Sequence, residues 1–334
     1  MARKNRPAPG EFELIARFFR PLAAAEKGAL ALRDDAAVLP IPLGSRLVAT
    51  TDCLVAGVHF LANARPEDIA PKLLRVNLSD LAAMGAQPRW YLLAAAFSKN
   101  AGANWIGRFA HALEREQKTF GVTLVGGDTV ATPGPATFTV TALGLAGEGK
   151  DLRRSGARLG DDIYVSGTIG DGALGLAVLT GRLKVSPAHA RALIARYHRP
   201  DPRIGLGRGL VDLARATIDV SDGLVADLGH ICETSGVAAQ IQADRVPLSP
   251  AAAAALSAHP ALLADILTGG DDYELVFTAP PVKAGRIRAL ARNLKVAVTR
   301  IGRIVSAGKG TPPVRVADAK GRALKLLRTG WRHF

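Results

Sequence analysis

The stretch TIDVSDGLVADLGH, residues 217–230, packs three carboxylates, Asp219, Asp222 and Asp227, into one short passage. The run before it, ARATIDV, reads as a strand, and the run after it reads as a helix, because Leu224, Leu228 and Ile231 recur at helical spacing. Acids recur at such strand ends along the chain: Asp34 and Asp35 in RDDAAVL, Asp52 in TTDCLVAGVHF, Asp128 in VGGDT, and Asp271 and Asp272 in GGDDYELVF. Strand ends are where α/β domains collect ligand-binding groups. Any one of these acids can instead be a turn residue or a helix cap, and Asp222 could simply cap the helix beginning at Leu224. Asp80 resists that explanation. In its helix Ile69, Leu73, Val76 and Met84 fall on one face, and Asp80 lies on the same face with Asn77 beside it. A carboxylate there must be paired or ligated, since desolvating it alone costs several kcal/mol. Few lysines or arginines lie near these acids in sequence, which points to a divalent cation. Hard oxygen donors without His or Cys suit Mg²⁺, which works alongside substrate phosphates.

An all-carboxylate, Mg²⁺-loaded site fits phosphoryl transfer, a reaction that needs positioning and charge neutralisation more than covalent help. Ser221, between Asp219 and Asp222, could cap the helix or touch a phosphate oxygen. The common nucleotide signatures are absent: the chain has no G-x-x-x-x-G-K-[ST] loop and no H-R-D set. Two Gly-Gly-Asp turns, 126–128 and 269–271, would let backbone approach a ligand closely.

The elements that must carry these residues alternate between α and β. Helices are predicted over 11–19, 66–88 and 104–121, and strands over 46–52, 90–97, 122–127 and 137–146. The polar, Gly-rich run 147–162 marks a domain boundary, so the expected domains are 1–148 and 149–334. In the second, a strand over 163–167 precedes a glycine-punctuated loop, TIGDGALGLA, and then a helical run; 198–207 reads as an irregular connection. A proline-interrupted helix over 251–267 and strands after the 269–272 turn and over 296–305 complete it. The fold class is therefore α/β (α+β) in two domains.

The length of 334 residues suits two domains, and 48% hydrophobic residues suffice for a core in each. No apolar run approaches the roughly 18 residues of a membrane helix, so no membrane association is expected. MARKNRPAPGEF has positive charge but no apolar core of a secretory signal. Cys53 and Cys232 lack metal-type spacing and suggest reduced thiols in the cytoplasm. The net charge of +14 is concentrated: residues 282–334 hold 14 Lys and Arg against one acid, Asp318. These cations are scattered singly among apolar residues and lack interleaved aromatics, so solvated faces explain them better than nucleic-acid binding, although a weak pull on phosphorylated small molecules is compatible with them.

The ordered set DDAAVL, TTDCLVAGVHF, NLSDLAAMGAQP, GGDT, RRSGARLGDDIYVSG, IDVSDGLVADLGHI, GGDDYELVFT and GWRHF, running from about residue 11 to the last residue, resembles the thiamine-monophosphate kinases of the aminoimidazole-ribonucleotide-synthetase-like superfamily. The resemblance implies an N-terminal mixed-sheet dimerisation domain that binds ATP and Mg²⁺, and a C-terminal α/β domain that completes the active site. It also implies a homodimer and ATP-dependent phosphorylation of thiamine monophosphate to thiamine diphosphate, by direct in-line transfer with several Mg²⁺ ions.

Carried over residue by residue, the metal ligands fall on Asp35, Thr50, Thr51, Asp52, Asp80, Asp128, Asp219 and Asp222. ATP contacts fall on Gly127, Asp128, Arg154, Ser221 and, where the family often has an aromatic beside the adenine, His111. The thiamine side falls on His59, Asp271 and Trp331. Departures from the family pattern are Arg33 in place of a glycine before the acid pair, and Asp271 in place of a glutamate. Two alternatives stand beside this reading: another ATP-dependent enzyme of the same superfamily, and a nucleic-acid-binding protein using the basic C-terminal region. A selenophosphate synthetase would need a reactive cysteine in an N-terminal glycine-rich loop, and Cys53 sits in a strand-end motif instead.

Overall fold

The structure, a computed structural model, describes residues 10–308 and 310–331. They fall into two compact units: residues up to 78 with 88–145, and 79–87 with the chain from 146 onward.

The N-terminal unit is built on a four-stranded sheet of β1 (Ser45–Val55), β2 (Gln87–Ser98), β3 (Thr123–Thr132) and β4 (Thr137–Gly147), in the order β1-β4-β2-β3. β2 and β3 run parallel, with Leu93 opposite Gly127 and Ala94 opposite Asp128. The predicted N-terminal helix is a short α-helix, α1 (Glu11–Leu14), which passes through a π turn (Ile15–Phe19) into a 3-10 turn (Arg20–Ala23). Next come α2 (Pro66–Ala83) and α3 (Ala103–Phe120). α3 buries Ile106, Phe109, Ala110 and Leu113 at helical spacing and ends at Gly121, whose positive φ of 65° closes the last turn. Phe109 stacks on Phe138 of β4 and meets Phe97 of β2 edge-on, so aromatics fill this face of the sheet. Across part of the other face, Ala23 and Ala29 pack on Trp90 and Val125. The rest of that face leaves Leu47, Leu92 and Val130 exposed.

α2 opens with Pro66, followed by Glu67 and Asp68 in its first turn, an arrangement suited to a helix N-terminus. Ile69, Ala70, Leu73, Leu74, Val76, Leu78, Leu81 and Ala82 are all buried. The helix is therefore enclosed on every side, and the single apolar stripe expected from the sequence does not exist.

The C-terminal unit carries a six-stranded sheet: β5 (Asp162–Ser166), β6 (Ala216–Asp219), β7 (Ala238–Gln242), β8 (Leu275–Ala279), β9 (Val298–Val305) and β10 (Val314–Ala317), in the order β10-β7-β9-β5-β8-β6. Only the β10–β7 pair is parallel. β5, β6 and β8 are buried on both faces. Ile163, Val165, Ile218 and Val276 join one core with α7 (Leu224–Ser235), whereas Tyr164, Leu275 and Phe277 join another with α6 (Ile204–Leu210) and α10 (Ala284–Leu294). The remaining helices are α4 (Asp171–Leu179), α5 (Pro187–His198), α8 (Pro250–Ala258) and α9 (Leu262–Thr268). Two segments read as irregular are helical. α4 begins inside the predicted glycine-punctuated loop, and α6 occupies most of the second half of 198–207 and continues beyond it. Their glycines serve close packing: a Cβ on Gly175 would lie 2.4 Å from the Leu193 carbonyl, and one on Gly207 1.9 Å from that of Ala82. Some of the basic C-terminal residues are paired, Arg322 with Asp318 and Arg328 with Asp265.

Candidate functional site

In the N-terminal unit, Thr50 and Asp52 share one face of β1, and Thr51, by the two-residue period of a strand, points to the other. The Thr51 hydroxyl donates to the Val140 carbonyl (3.1 Å) and accepts from the Thr141 hydroxyl (3.2 Å). Asp52 is fixed by Asn77, whose buried side-chain oxygen accepts the Asp52 N–H (3.0 Å) and whose amide donates to Leu73 (2.9 Å).

Asp35, Gly127 and Asp128 line one cavity of about 400 Å³, with Asp34 and Thr129. Much of the remaining lining is apolar and includes Phe19, Leu32, Leu124 and Val125. Gly127 has φ 150°, and a Cβ there would lie 1.9 Å from the Leu93 carbonyl, so only glycine fits. His111 lies elsewhere in the unit. It is exposed beside Glu114, in a groove lined by Arg17, Arg108 and Arg115 that shares no residue with this cavity.

His59 sits on the turn that follows β1. Its Nδ1 accepts the Val55 N–H (3.1 Å), its own N–H donates to the Val55 carbonyl (2.9 Å), and its carbonyl accepts from Lys72 Nζ (3.1 Å).

In the C-terminal unit, the buried Asp219 ends β6 and accepts the hydroxyl of Ser79 (2.7 Å), which sets the last turns of α2 against the strand end; the half-buried Asp80 is the next residue. Ser221 and Asp222 form the turn into α7. Neither caps the helix: Gly223 is the N-cap, with no side-chain bond. Asp227 does that work from inside. One oxygen accepts the N–H groups of Ser221, Asp222 and Gly223 (3.0, 3.0 and 3.1 Å). Burial, then the charge of Asp222, push the Asp227 carboxyl up to about 7 against those three donors.

Two further segments meet this turn. The Asp271 N–H donates to the Ser221 carbonyl (2.9 Å) and the Tyr273 N–H to that of Val220 (2.8 Å). Asp271 and Tyr273 hold positive φ, 71° and 52°. From the C-terminal end, the Trp331 N–H donates to the Asp222 carbonyl (2.9 Å), while its side chain remains 53% exposed. Phe334, the other residue that could pin this end, lies outside the described residues. Arg154 is exposed on a segment joined to β6 by the Arg153 carbonyl, which accepts the Thr217 N–H (2.8 Å).

Beneath Asp271, the buried Asp272 accepts the N–H groups of Gly170 (2.7 Å) and Gly172 (3.0 Å). Glu274, fully buried, is gripped by Arg203 through both oxygens (2.6 Å each), by Arg196 (2.9 Å) and by Ser166 (2.6 Å). Asp227, Asp272, Glu274, Ser79 and Lys72 were not singled out from sequence for these parts. Of these, Asp227, by its place in the three-acid stretch, and Asp272, in GGDDYELVF, gave a signal.

The donor set is oxygen only, as hard cations require. Among the described residues no three Asp, Glu, His or Cys side chains converge enough to hold an ion on their own. Oxygen donors are the kind Mg²⁺ takes, with water and substrate phosphates completing its shell.

Residues 33–146 match the family described as AIR synthase related protein, N-terminal domain, and residues 158–315 match AIR synthase related protein, C-terminal domain. These two domains in succession define the class of protein. Along its length the chain is 43% identical to thiamine-monophosphate kinase of Caulobacter vibrioides, over 97% of this chain and 91% of that one. The solved thiamine-monophosphate kinase of Stenotrophomonas maltophilia K279a superposes with a TM-score of 0.83 at 42% identity, covering 94% of this chain and 98% of the other. A second solved structure, described as AaThiL complexed with AMPPCP and TMP, gives a TM-score of 0.76 at 32% identity and covers 97% of both chains. The chain belongs to the thiamine-monophosphate kinase family.

Proposed function

We propose that the chain transfers the γ-phosphoryl group of ATP to thiamine monophosphate, giving thiamine diphosphate and ADP. The observation that carries this reading is the meeting of three sequence-distant segments, Ser221–Asp222, Gly270–Asp271 and Gly330–Trp331, on one turn at the end of β6. The family relationship and the pairing of AMPPCP with TMP in the relative support it.

The N-terminal unit offers Asp35, Thr50, Asp52 and Asp128 as oxygen donors toward Mg²⁺, with Thr51 the weakest of that set because its hydroxyl is engaged with β4. The C-terminal unit offers Asp80, Asp219 and Asp222. When bound, the cation would neutralise charge on the phosphoryl oxygens. Gly127 brings bare backbone to ATP, and Arg154 and Ser221 supply a cation and a hydroxyl. His111 is the least supported ATP contact, since it lies in a different groove. His59 accepts a backbone N–H at Nδ1, so its neutral ring carries the hydrogen on Nε2 and can donate to the substrate's phosphate. Asp271 and the indole face of Trp331 complement the cationic thiazolium. Among the described residues no Ser hydroxyl is hydrogen-bonded to a His ring, and the reading takes transfer as direct. The exposed sheet face with Leu47, Leu92 and Val130 suits a second copy of the chain, and the free thiols of Cys53 and Cys232 suit a reducing cytoplasm.

The test is ADP release from ATP, with thiamine monophosphate and unphosphorylated thiamine compared as acceptors. ADP release should require the monophosphate and Mg²⁺. Equal turnover with thiamine, or full turnover after exhaustive chelation, would reject the reading.

A further inference from the structure

We infer that Lys72 is a positioning residue that sets His59 for its substrate; the inference rests on the proposed contact between His59 and thiamine monophosphate. Lys72 lies in the first half of α2 and is 1% exposed, in a helix whose other buried positions are apolar apart from Asp68, Asn77 and Ser79. A buried ammonium is costly to keep, so it must do something an apolar side chain cannot. Its Nζ donates to the main-chain carbonyl of His59, thirteen residues away (3.1 Å).

The turn it reaches is anchored at both ends. At one end the Val58 and His59 N–H groups return to the Val55 carbonyl (3.1 and 2.9 Å). At the other, Phe60 is buried and stacked on Phe138, and Gly57, with φ 83°, donates to the Phe60 carbonyl (2.7 Å). Between the anchors, His59 is held from the helix side by Lys72 and through its ring by the Val55 N–H. The two contacts act on one residue. The ammonium fixes the peptide on the C-terminal side of His59, and that peptide orientation lets Nδ1 face the Val55 N–H. With Nδ1 an acceptor, the ring's hydrogen resides on Nε2, the atom that would donate to a phosphate oxygen. In this arrangement Lys72 acts through the main chain of His59.

The test compares Lys72→Met, His59→Ala and the double variant, titrating thiamine monophosphate and ATP separately, with melting temperature as the fold control. Methionine keeps most of the volume without the donor. Lys72→Met should raise KM for thiamine monophosphate about tenfold, the equivalent of roughly 1.4 kcal/mol, and leave KM for ATP and the melting temperature nearly unchanged. Added to His59→Ala, it should change KM less than about twofold, because the residue it serves is gone. If His59→Ala leaves that KM unchanged, the proposed His59 contact is wrong and this inference falls with it. If His59→Ala raises KM but Lys72→Met does not, moves both KM values, or adds its full effect in the double variant, the positioning role alone is overturned. A second measurement needs no folded Lys72 variant. ¹⁵N-histidine spectra of the wild-type protein, with His59 assigned by its loss in His59→Ala, should show the Nε2–H tautomer. A ring protonated on Nδ1 overturns the inference.

Discussion

Replacing Gly270 with alanine separates close approach from mere turn formation. A Cβ at this position would lie 2.1 Å from the Ser221 carbonyl oxygen and 3.3 Å from the Asp222 Cα. Both neighbours are backbone, so no side chain can swing aside. An unstrained contact needs well over 3 Å, so the two turns must part by about 1 Å. The Asp271 N–H donates to that same oxygen at 2.9 Å, and a displacement of about 1 Å takes it beyond hydrogen-bond range. The Tyr273 N–H bond to Val220 (2.8 Å) lies on the same seam and would weaken with it.

Overpacking of this kind costs about 1–3 kcal/mol of stability, and a misplacement of about 1 Å in a positioning element costs on the order of 100-fold in rate. Gly270→Ala should therefore lower kcat/KM for thiamine monophosphate by about 100-fold, with a melting point lower by roughly 2–10 °C. Gly285→Ala is the control: it lies in α10 with no atom within 4 Å of the added Cβ, and should leave activity unchanged. Coupled ADP release and a thermal melt measure both. A Gly270→Ala enzyme within about threefold of wild type would show that the contact of the two turns does not set the site.

Asp80→Asn and Asp222→Asn should each abolish most ADP release while keeping the circular dichroism of the wild type; unfolding of either would make that acid structural. Without metal, Asp222→Asn should melt no lower than wild type, because the charge of Asp222 raises the Asp227 carboxyl. Trp331→Ala should raise KM for thiamine monophosphate by roughly 2- to 30-fold and leave KM for ATP and the melting point alone, since the bond to Asp222 comes from the backbone N–H and survives the change. A fall in melting point with both KM values unmoved would make Trp331 a packing anchor. Burial holds the Asp272 carboxyl up at about 8, above its unfolded value near 4. Its contribution is thus full below about pH 4 and is lost as pH rises toward 8, by at most about 1.4 kcal/mol per pH unit. Asp272→Asn gives up one of two acceptors for the Gly170 and Gly172 N–H groups and is less stable at pH 5, but its deficit should narrow by pH 7. A constant gap in denaturant melts would contradict that titration.

Of the acids read as lying at strand ends, Asp219 does end β6, whereas Asp52 and Asp128 lie inside the longer β1 and β3, and Asp34 and Asp35 precede β1; a two-residue period marks a strand but not how far it runs. Asp80 was singled out on a wrong picture, since α2 has no solvent side for a stripe to contrast with. The glycines of 168–177 were read as a loop because a glycine admitted for close packing looks the same in sequence as one needed for a turn. Gly175 against Leu193 is the first kind, and Gly127, read as a turn glycine, lies inside β3, where its φ of 150° and its clash against Leu93 exclude a side chain. Pairings such as Ser79 with Asp219, Lys72 with His59 and Trp331 with Asp222 join residues with no periodic relation. They exist only once the chain is folded, so no spacing rule reaches them.

The opening stretch then has a physical division of labour. Asp227 is turned inward and spends one oxygen on three backbone N–H groups, which would otherwise be the orphan donors of the turn into α7. With the helix start satisfied from within, Asp222 needs no capping role, and its side chain stays half-buried at the turn. The second acidic turn repeats the arrangement: Asp272 is buried on the Gly170 and Gly172 N–H groups, and its half-buried neighbour Asp271 is carried on a left-handed backbone. A bare pair of acids on a loop would repel and drift apart. Anchoring one of each pair to backbone donors makes the position of the other a property of the fold, and this is what a site working by placed charge requires.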